Sequence, residues 1–185
     1  MLAPVAGALP SITLILGGAR SGKSQYAETL IANAAISGTY IATAEAGDAE
    51  MAARIAHHRA RRHSVGRGDF WRTIDAPLDL APVILDHADP ARPILVDCLT
   101  LWLSNLMLAG RVAEHETEAL LGALRDAAGP VLLVANEVGL GLVPETPLGR
   151  QFRDAAGRLN QSVAALANRV VFVAAGLPLV LKGAA

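Results

Sequence analysis

Apolar residues in this chain fall into two patterns. Short dense runs alternate with longer stretches in which they recur every three or four positions. The dense runs are Ile12-Thr13-Leu14-Ile15-Leu16, Thr39-Tyr40-Ile41-Ala42-Thr43, Ile94-Leu95-Val96, Val131-Leu132-Leu133-Val134-Ala135 and Val170-Val171-Phe172-Val173-Ala174. Their length and β-branched content predict strands, and the Val131 run reads as one buried on both faces. Phe70-Trp71-Arg72-Thr73-Ile74 alternates and predicts a further strand, stopped at Asp75-Ala76-Pro77; Leu179-Val180-Leu181 is placed as an edge pairing.

The helical pattern fills the gaps between these runs. It predicts helices from the glycine-rich stretch to about Ile36, from Asp48 onward, from Leu78 to His87, from Leu99 to Leu108 and from Glu114 to Ala127. The helix beginning at Asp48 carries a stripe through Met51, Ile55, His58 and Arg62. Thr146 as N-cap and Pro147 at the first helical position open a last helix to about Asn168. Its inner face is expected at Leu148, Phe152, Ala155, Leu159, Val163 and Leu166. Strands alternating with helices predict an α/β fold with a mostly parallel sheet flanked by helices. No repeat or internal boundary interrupts the pattern, so residues 12–185 read as a single domain. Residues 1–11 read as a flexible extension, apolar but without the charged start of a signal peptide.

The first strand runs directly into Gly17-Gly18-Ala19-Arg20-Ser21-Gly22-Lys23-Ser24. Strand, G-x-x-x-x-G-K-S and helix in that order are the context of a P-loop. Glycines let successive N–H groups turn inward as an anion nest, and the following helix aims its positive end at the same phosphates. Lys23 is expected to reach the β- and γ-phosphate oxygens, and the Ser24 hydroxyl to complete the shell of a Mg²⁺ ion.

Parallel sheets bind ligands beyond the carboxyl ends of their strands. That edge gathers the P-loop, Thr43 and its neighbours, Asp97 and the pair Asn136-Glu137. Asp97, after three apolar strand residues, suits a carboxylate on the water shell of Mg²⁺ opposite Ser24; a strand-end Asp also serves as N-cap for the helix at Leu99. Asn136 and Glu137 stand equally as ligands of an acceptor or the metal and as turn residues.

Charge removes other function classes. With 16 Lys and Arg against 17 Asp and Glu, the chain of 185 residues has a net charge of −1 and lacks the basic footprint of a nucleic-acid binder. One cysteine, Cys98, excludes an internal disulfide and a cysteine-based zinc site, and fits a reducing cytoplasm. No apolar run has the length of a membrane span.

His57-His58-Arg59-Ala60-Arg61-Arg62-His63 is the most unusual composition. Adjacent helical residues point about 100° apart, so both histidines cannot face inward. The stripe through Met51 and Ile55 passes through His58 and misses His57. A neutral imidazole among arginines can attack phosphorus, with the cations stabilising the transition state. A solvated basic helix with an incidental histidine pair is the other reading.

These segments resemble the bifunctional adenosylcobinamide kinase/adenosylcobinamide-phosphate guanylyltransferase family of cobalamin biosynthesis. The matching stretches are GGARSGKS at Gly17–Ser24, YIATAEA at Tyr40–Ala46, DAEMAARIAHHRARR at Asp48–Arg62, WRTIDAP at Trp71–Pro77, LVDCLTLWLSNLM at Leu95–Met107 and NEVGLGLVPETPLGRQFRDAAGRLNQ at Asn136–Gln161. The P-loop is shared with many kinases; the HHRARR and NEVGLGLVPE stretches are far more specific. The resemblance implies a RecA-like P-loop subunit that forms a homotrimer and uses ATP, GTP and Mg²⁺. It implies phosphorylation of adenosylcobinamide and transfer of GMP from GTP to adenosylcobinamide phosphate through a guanylylated His58. Its nucleotide contacts carry onto Gly17, Gly18, Ala19, Arg20, Ser21, Gly22, Lys23 and Ser24. They continue with Ala42, Thr43, Ala44, Arg59, Ala60, Arg61, Arg62, Asp75 and Asp97. Position 75 is Asp where many relatives are expected to carry Glu, which shortens the reach of a ribose contact.

A kinase without the covalent step, and a RecA-like regulatory module without a small-molecule acceptor, are the competing readings. For a bulky corrinoid, an apolar surface is required. Trp102, Leu103, Leu106 and Met107, with the Gly139–Pro144 loop, supply one unless they belong to the core or a subunit interface.

Overall fold

The densest apolar runs became the middle of the sheet. In the computed structural model, β1 (Ile12–Gly17), β4 (Ile94–Asp97) and β5 (Val131–Asn136) are buried along nearly their whole length. The strands that alternate, β3 (Trp71–Asp75) and β7 (Leu177–Lys182), lie at its two edges, where only one face needs cover. With β2 (Gly38–Ala42) and β6 (Arg169–Ala174) the order is β3-β2-β4-β5-β1-β6-β7. Every pairing is parallel except β6 with β7. The structure describes residues 9–45 and 69–184, together with Ala53, Ala56 and Ala60.

Helix α1 (Lys23–Ala34) covers one face of the sheet. Its Ala27, Leu30 and Ile31 pack on Ile15, Tyr40, Leu95, Leu132, Val134 and Val171. The other face is covered by α2 (Leu80–His87), α3 (Leu99–Leu108), α4 (Ala113–Asp126) and α5 (Pro147–Leu166). There Leu14, Leu16, Ile41, Val96 and Leu133 meet Leu99, Trp102, Leu103, Leu106, Leu120 and Val163. The result is the predicted α/β fold, a mostly parallel sheet flanked by helices, here in three layers. Among the described residues, no helix is long and apolar enough to cross a membrane.

Most boundaries agree with the sequence pattern to within two residues, and the exceptions have local causes. Thr146 caps α5 as expected, its Oγ1 accepting from the Gly149 N–H at 3.1 Å, with Pro147 in the first turn. The predicted inner face holds from Phe152 onward and gains Ala156 and Asn160. Leu148 is instead 53% exposed, because the first turn of α5 leaves an exposed connection. Helix α1 ends at Ala34, so Ile36 lies outside it and is exposed. Helix α2 begins at Leu80 rather than Leu78. Of the helix expected from Asp48, Ala53, Ala56 and Ala60 are helical; Met51, Ile55, His58 and Arg62 lie outside the described residues.

Candidate functional site

Six parallel strands deliver their carboxyl ends to one edge of the sheet, and the register sets who meets whom. Ala42 pairs with Asp75 on one side and with Asp97 on the other, so these three stand level across β3, β2 and β4. Gly17 pairs with Asn136, while Asp97 pairs with Val134 of the same strand β5. Asp97 therefore sits two residues below the start of the P-loop, and one strand separates β1 from β4. Two strand spacings, about 10 Å, lie between them. That is room for a hydrated ion and a phosphate.

The loop itself is held by backbone contacts that demand glycine. A Cβ on Gly17 would collide with the Val173 carbonyl and stand 2.6 Å from Ser21 Oγ. Gly22, the N-cap of α1, has φ +96°, and Arg20 before it is also left-handed at φ +56°. The loop is tied to its neighbours by Glu137 N–H donating to the Gly17 carbonyl at 3.1 Å and Gly176 N–H donating to the Ser21 carbonyl at 2.8 Å. Gly176 belongs to the two-residue β6–β7 turn, where Ala175 and Gly176 are both left-handed, as a tight hairpin requires.

Lys23 is only 8% exposed, and its Nζ donates to the Gly18 carbonyl at 3.0 Å, across the mouth of the loop. Burial lowers its pKa below the ordinary 10.5, against the opposing fields of Cys98 and Asp97. Lys23 thus feels the β4 end electrostatically, as a shared site requires.

Asp97 is not the cap of α3. That position belongs to Cys98, and no side chain caps the helix, which removes the N-cap alternative. Asp97 Oδ2 instead accepts the Tyr40 hydroxyl at 2.8 Å. The Asp97–Cys98 peptide is cis, and Thr43 secures it: Oγ1 donates to the Cys98 carbonyl at 2.7 Å and accepts the Cys98 N–H at 2.8 Å. Thr43 is fully buried, so its side chain serves the β4 end rather than facing a ligand. Asn105 Nδ2 in turn holds the Thr43 carbonyl at 2.8 Å and that of Pro77 at 3.1 Å. Cys98, also buried, has its thiol pKa pushed up to about 11, first by burial and then by Asp97.

Other expected residues divide. Ala42 and Ala44 are half-buried beside Thr43, and Asp75 is exposed at the end of β3. Ala60 is helical and exposed, while His58, Arg59, Arg61 and Arg62 lie outside the described residues. Glu137 is a turn residue, its Oε1 accepting the Gly139 N–H at 2.6 Å; Asn136 is held through its backbone by Thr100 Oγ1 and Asn160 Nδ2. Trp102, Leu103 and Leu106 are 0–1% exposed. They are core and provide no acceptor surface, since α3 turns them onto the sheet. Exposed apolar residues near this edge include Leu140, Leu142, Val143 and Leu177. Sequence reasoning missed Tyr40 and Asn105, whose partners follow from β2 lying beside β4; a hydroxyl inside an apolar strand was the available signal for Tyr40.

This edge brings the Asp97 carboxylate and the Lys23 ammonium to a glycine-rich loop, with Ser24 in the first turn of α1, a set that suits a polyphosphate with a hard divalent cation. Solved structures of similar fold carry the same kind of architecture. The flagellar accessory protein FlaH from Methanocaldococcus jannaschii superposes with a TM-score of 0.57 at 14% identity, covering 97% of this chain and 82% of that one. A type III secretion ATPase of pathogenic bacteria gives 0.55 at 12% identity, covering 92% and 57%. These likenesses concern the fold. Sequence comparison is more specific. The bifunctional adenosylcobalamin biosynthesis protein CobP of Pseudomonas aeruginosa is 51% identical over 172 residues, 92% of this chain and 96% of that protein. The CobU protein of Escherichia coli is 39% identical over 184 residues, 91% and 98% of the two chains. The family model described as cobinamide kinase / cobinamide phosphate guanyltransferase matches residues 13–181. The chain belongs to that family.

Proposed function

We propose that this protein is a bifunctional enzyme that phosphorylates adenosylcobinamide with ATP or GTP and then transfers GMP from GTP to adenosylcobinamide phosphate. The observation that carries the reading is the family match over residues 13–181 on a chain whose phosphate loop, Lys23 and Asp97 share one sheet edge. Residues 12–185 act as one catalytic domain, with residues 1–11 as an extension, in a cytoplasmic homotrimer.

In the kinase half, the loop N–H groups and Lys23 hold the triphosphate so that the γ-phosphorus faces the acceptor alcohol. The acceptor oxygen forms a bond to that phosphorus as the bond to the β-phosphate oxygen breaks; the nucleoside diphosphate departs and the alcohol proton passes to solvent. Lys23 offsets charge gathering on the β/γ-bridging oxygen. Ser24 and Asp97 are the residues that would hold Mg²⁺, which neutralises phosphate charge when bound. Ser24 follows Lys23 in the first turn of α1, and Asp97 ends a strand one removed from the P-loop strand at the same sheet edge, which supports a shared ion.

In the transferase half, a neutral imidazole nitrogen of His58 attacks the α-phosphorus of GTP. A P–N bond forms, the bond to the β-phosphate oxygen breaks, and pyrophosphate departs. A phosphate oxygen of adenosylcobinamide phosphate then attacks the same phosphorus and returns the imidazole. Arg59, Arg61 and Arg62 stabilise the transferring charge, and Asp75 meets the ribose.

The test is incubation with GTP labelled at the α-phosphate. Label that is acid-labile and alkali-stable is expected on the protein, and none on His58→Ala. Undiminished label on His58→Ala overturns the histidine assignment. Absence of label on the parent chain, with γ-phosphate still transferred to cobinamide, leaves a kinase alone.

A further inference from the structure

We propose that Tyr40 is the positioning residue for the Asp97 carboxylate, fixing which oxygen faces the metal–nucleotide. The proposal rests on the reading of Asp97 as the carboxylate on the metal side.

The main chain around Asp97 is already fixed. Thr43 N–H donates to the Asp97 carbonyl at 3.3 Å, and Thr43 Oγ1 holds both the carbonyl and the N–H of Cys98. What remains free is rotation of the carboxylate about its last torsion, which has a broad two-fold profile. The Tyr40 hydroxyl removes that freedom by donating to Oδ2 at 2.8 Å. Among the described residues, Oδ1 receives no hydrogen bond. One oxygen is thus committed to the protein and the other is left for a ligand.

The choice of side chain matters as much as the distance. Tyr40 is 3% exposed on the strand beside β4, and its ring sits edge-on to Trp71, with centroids 6.1 Å apart at 84°. A lysine or arginine here would orient the carboxylate but neutralise it. A tyrosine hydroxyl is a neutral donor, so Asp97 keeps its full negative charge for a cation. The ring packing makes the hydroxyl a rigid donor.

The experiment is a Mg²⁺ titration of GTP binding, read by a fluorescent ribose-substituted GTP, for the parent chain, Tyr40→Phe and Asp97→Asn. Tyr40→Phe keeps the ring and removes the donor. The expected result is about a tenfold higher Mg²⁺ concentration for half-saturation, the size of one hydrogen bond to a charged group. Metal-free nucleotide binding should not change. A merely structural tyrosine would weaken binding equally with and without Mg²⁺. If Asp97→Asn shifts the titration and Tyr40→Phe does not, Tyr40 has no positioning role. If neither shifts it, the metal reading of Asp97 fails, and this proposal fails with it.

Discussion

Gly176 N–H donates to the Ser21 carbonyl at 2.8 Å, so the turn closing the β6–β7 hairpin also holds the phosphate loop. Gly22 completes the contact. A Cβ there would stand 3.2 Å from Gly176 Cα, at a backbone φ of +96° that side chains rarely adopt.

Gly22→Ala is therefore expected to distort the loop and the hairpin together. Left-handed strain for alanine costs about 1–2 kcal/mol, and nucleotide affinity should fall at least about tenfold. Gly18→Ala is the contrast, since a Cβ at Gly18 meets nothing within 4 Å. Its thermal midpoint should stay near that of the parent chain. Equal melting losses for the two variants would refute the hairpin contact as the cause.

Burying Lys23 carries a cost in stability. Its pKa is lowered, chiefly by burial, so the folded state gives up this proton before the unfolded chain does. Stability from this group rises with pH between the depressed folded value and 10.5. Below that window the penalty of a buried cation is fully present. Lys23→Met should accordingly resist urea better than the parent at pH 7, while phosphoryl transfer falls by about 10²–10³. A methionine variant that is less stable at neutral pH would contradict the assignment of burial as the dominant cause.

Thr43 spans the end of β4 with one hydroxyl used twice. Thr43→Val preserves shape but leaves the Cys98 carbonyl and N–H without their partner. Each orphaned buried group costs about 1–3 kcal/mol. Urea denaturation should show a loss of about that size or twice it, with Thr43→Ser close to the parent. Because Asp97 is adjacent, Thr43→Val should also raise the Mg²⁺ requirement for nucleotide binding.

The strand order explains what the sequence disclosed and what it withheld. Ile94-Leu95-Val96 and Val131–Ala135 are buried, so their composition alone marked both as strands and the Val131 run as one covered on both faces. The P-loop was legible because its chemistry is local: strand, glycines, Lys23 and helix adjoin in the chain. Tyr40 and Asp97 are 57 residues apart, and only the placement of β2 beside β4 brings them together. The same holds for Trp102, where a helical apolar stripe looks alike on a core face and on a ligand surface. Its Nε1 donating to the Leu78 carbonyl at 2.7 Å belongs to packing of α3 against the α2 entry. Glu137 was ambiguous for a related reason: the bond to Gly139 N–H that makes it a turn residue depends on loop geometry, which residue type does not specify.

Cys98 supplies a pH signature of the same strand end. Its thiol pKa is raised from 9.0 to about 11, by burial first and Asp97 second. The unfolded chain loses this proton near 9.0, while the folded chain keeps it until about 11. Stability from this group is thus fully present below pH 9 and is lost as pH climbs from 9 to 11. Two pK units correspond to about 3 kcal/mol. Lys23 works in the opposite direction up to 10.5, so the parent chain alone mixes the two effects. Comparing urea midpoints of the parent and Cys98→Ala at several values from pH 8 to 11 reads the Cys98 contribution, because Lys23 is present in both and burial dominates its shift. The alanine variant is expected to start less stable, having lost a buried sulfur, and to converge on the parent as pH rises. Parallel curves across that range would mean that the Cys98 thiolate is not excluded by its surroundings.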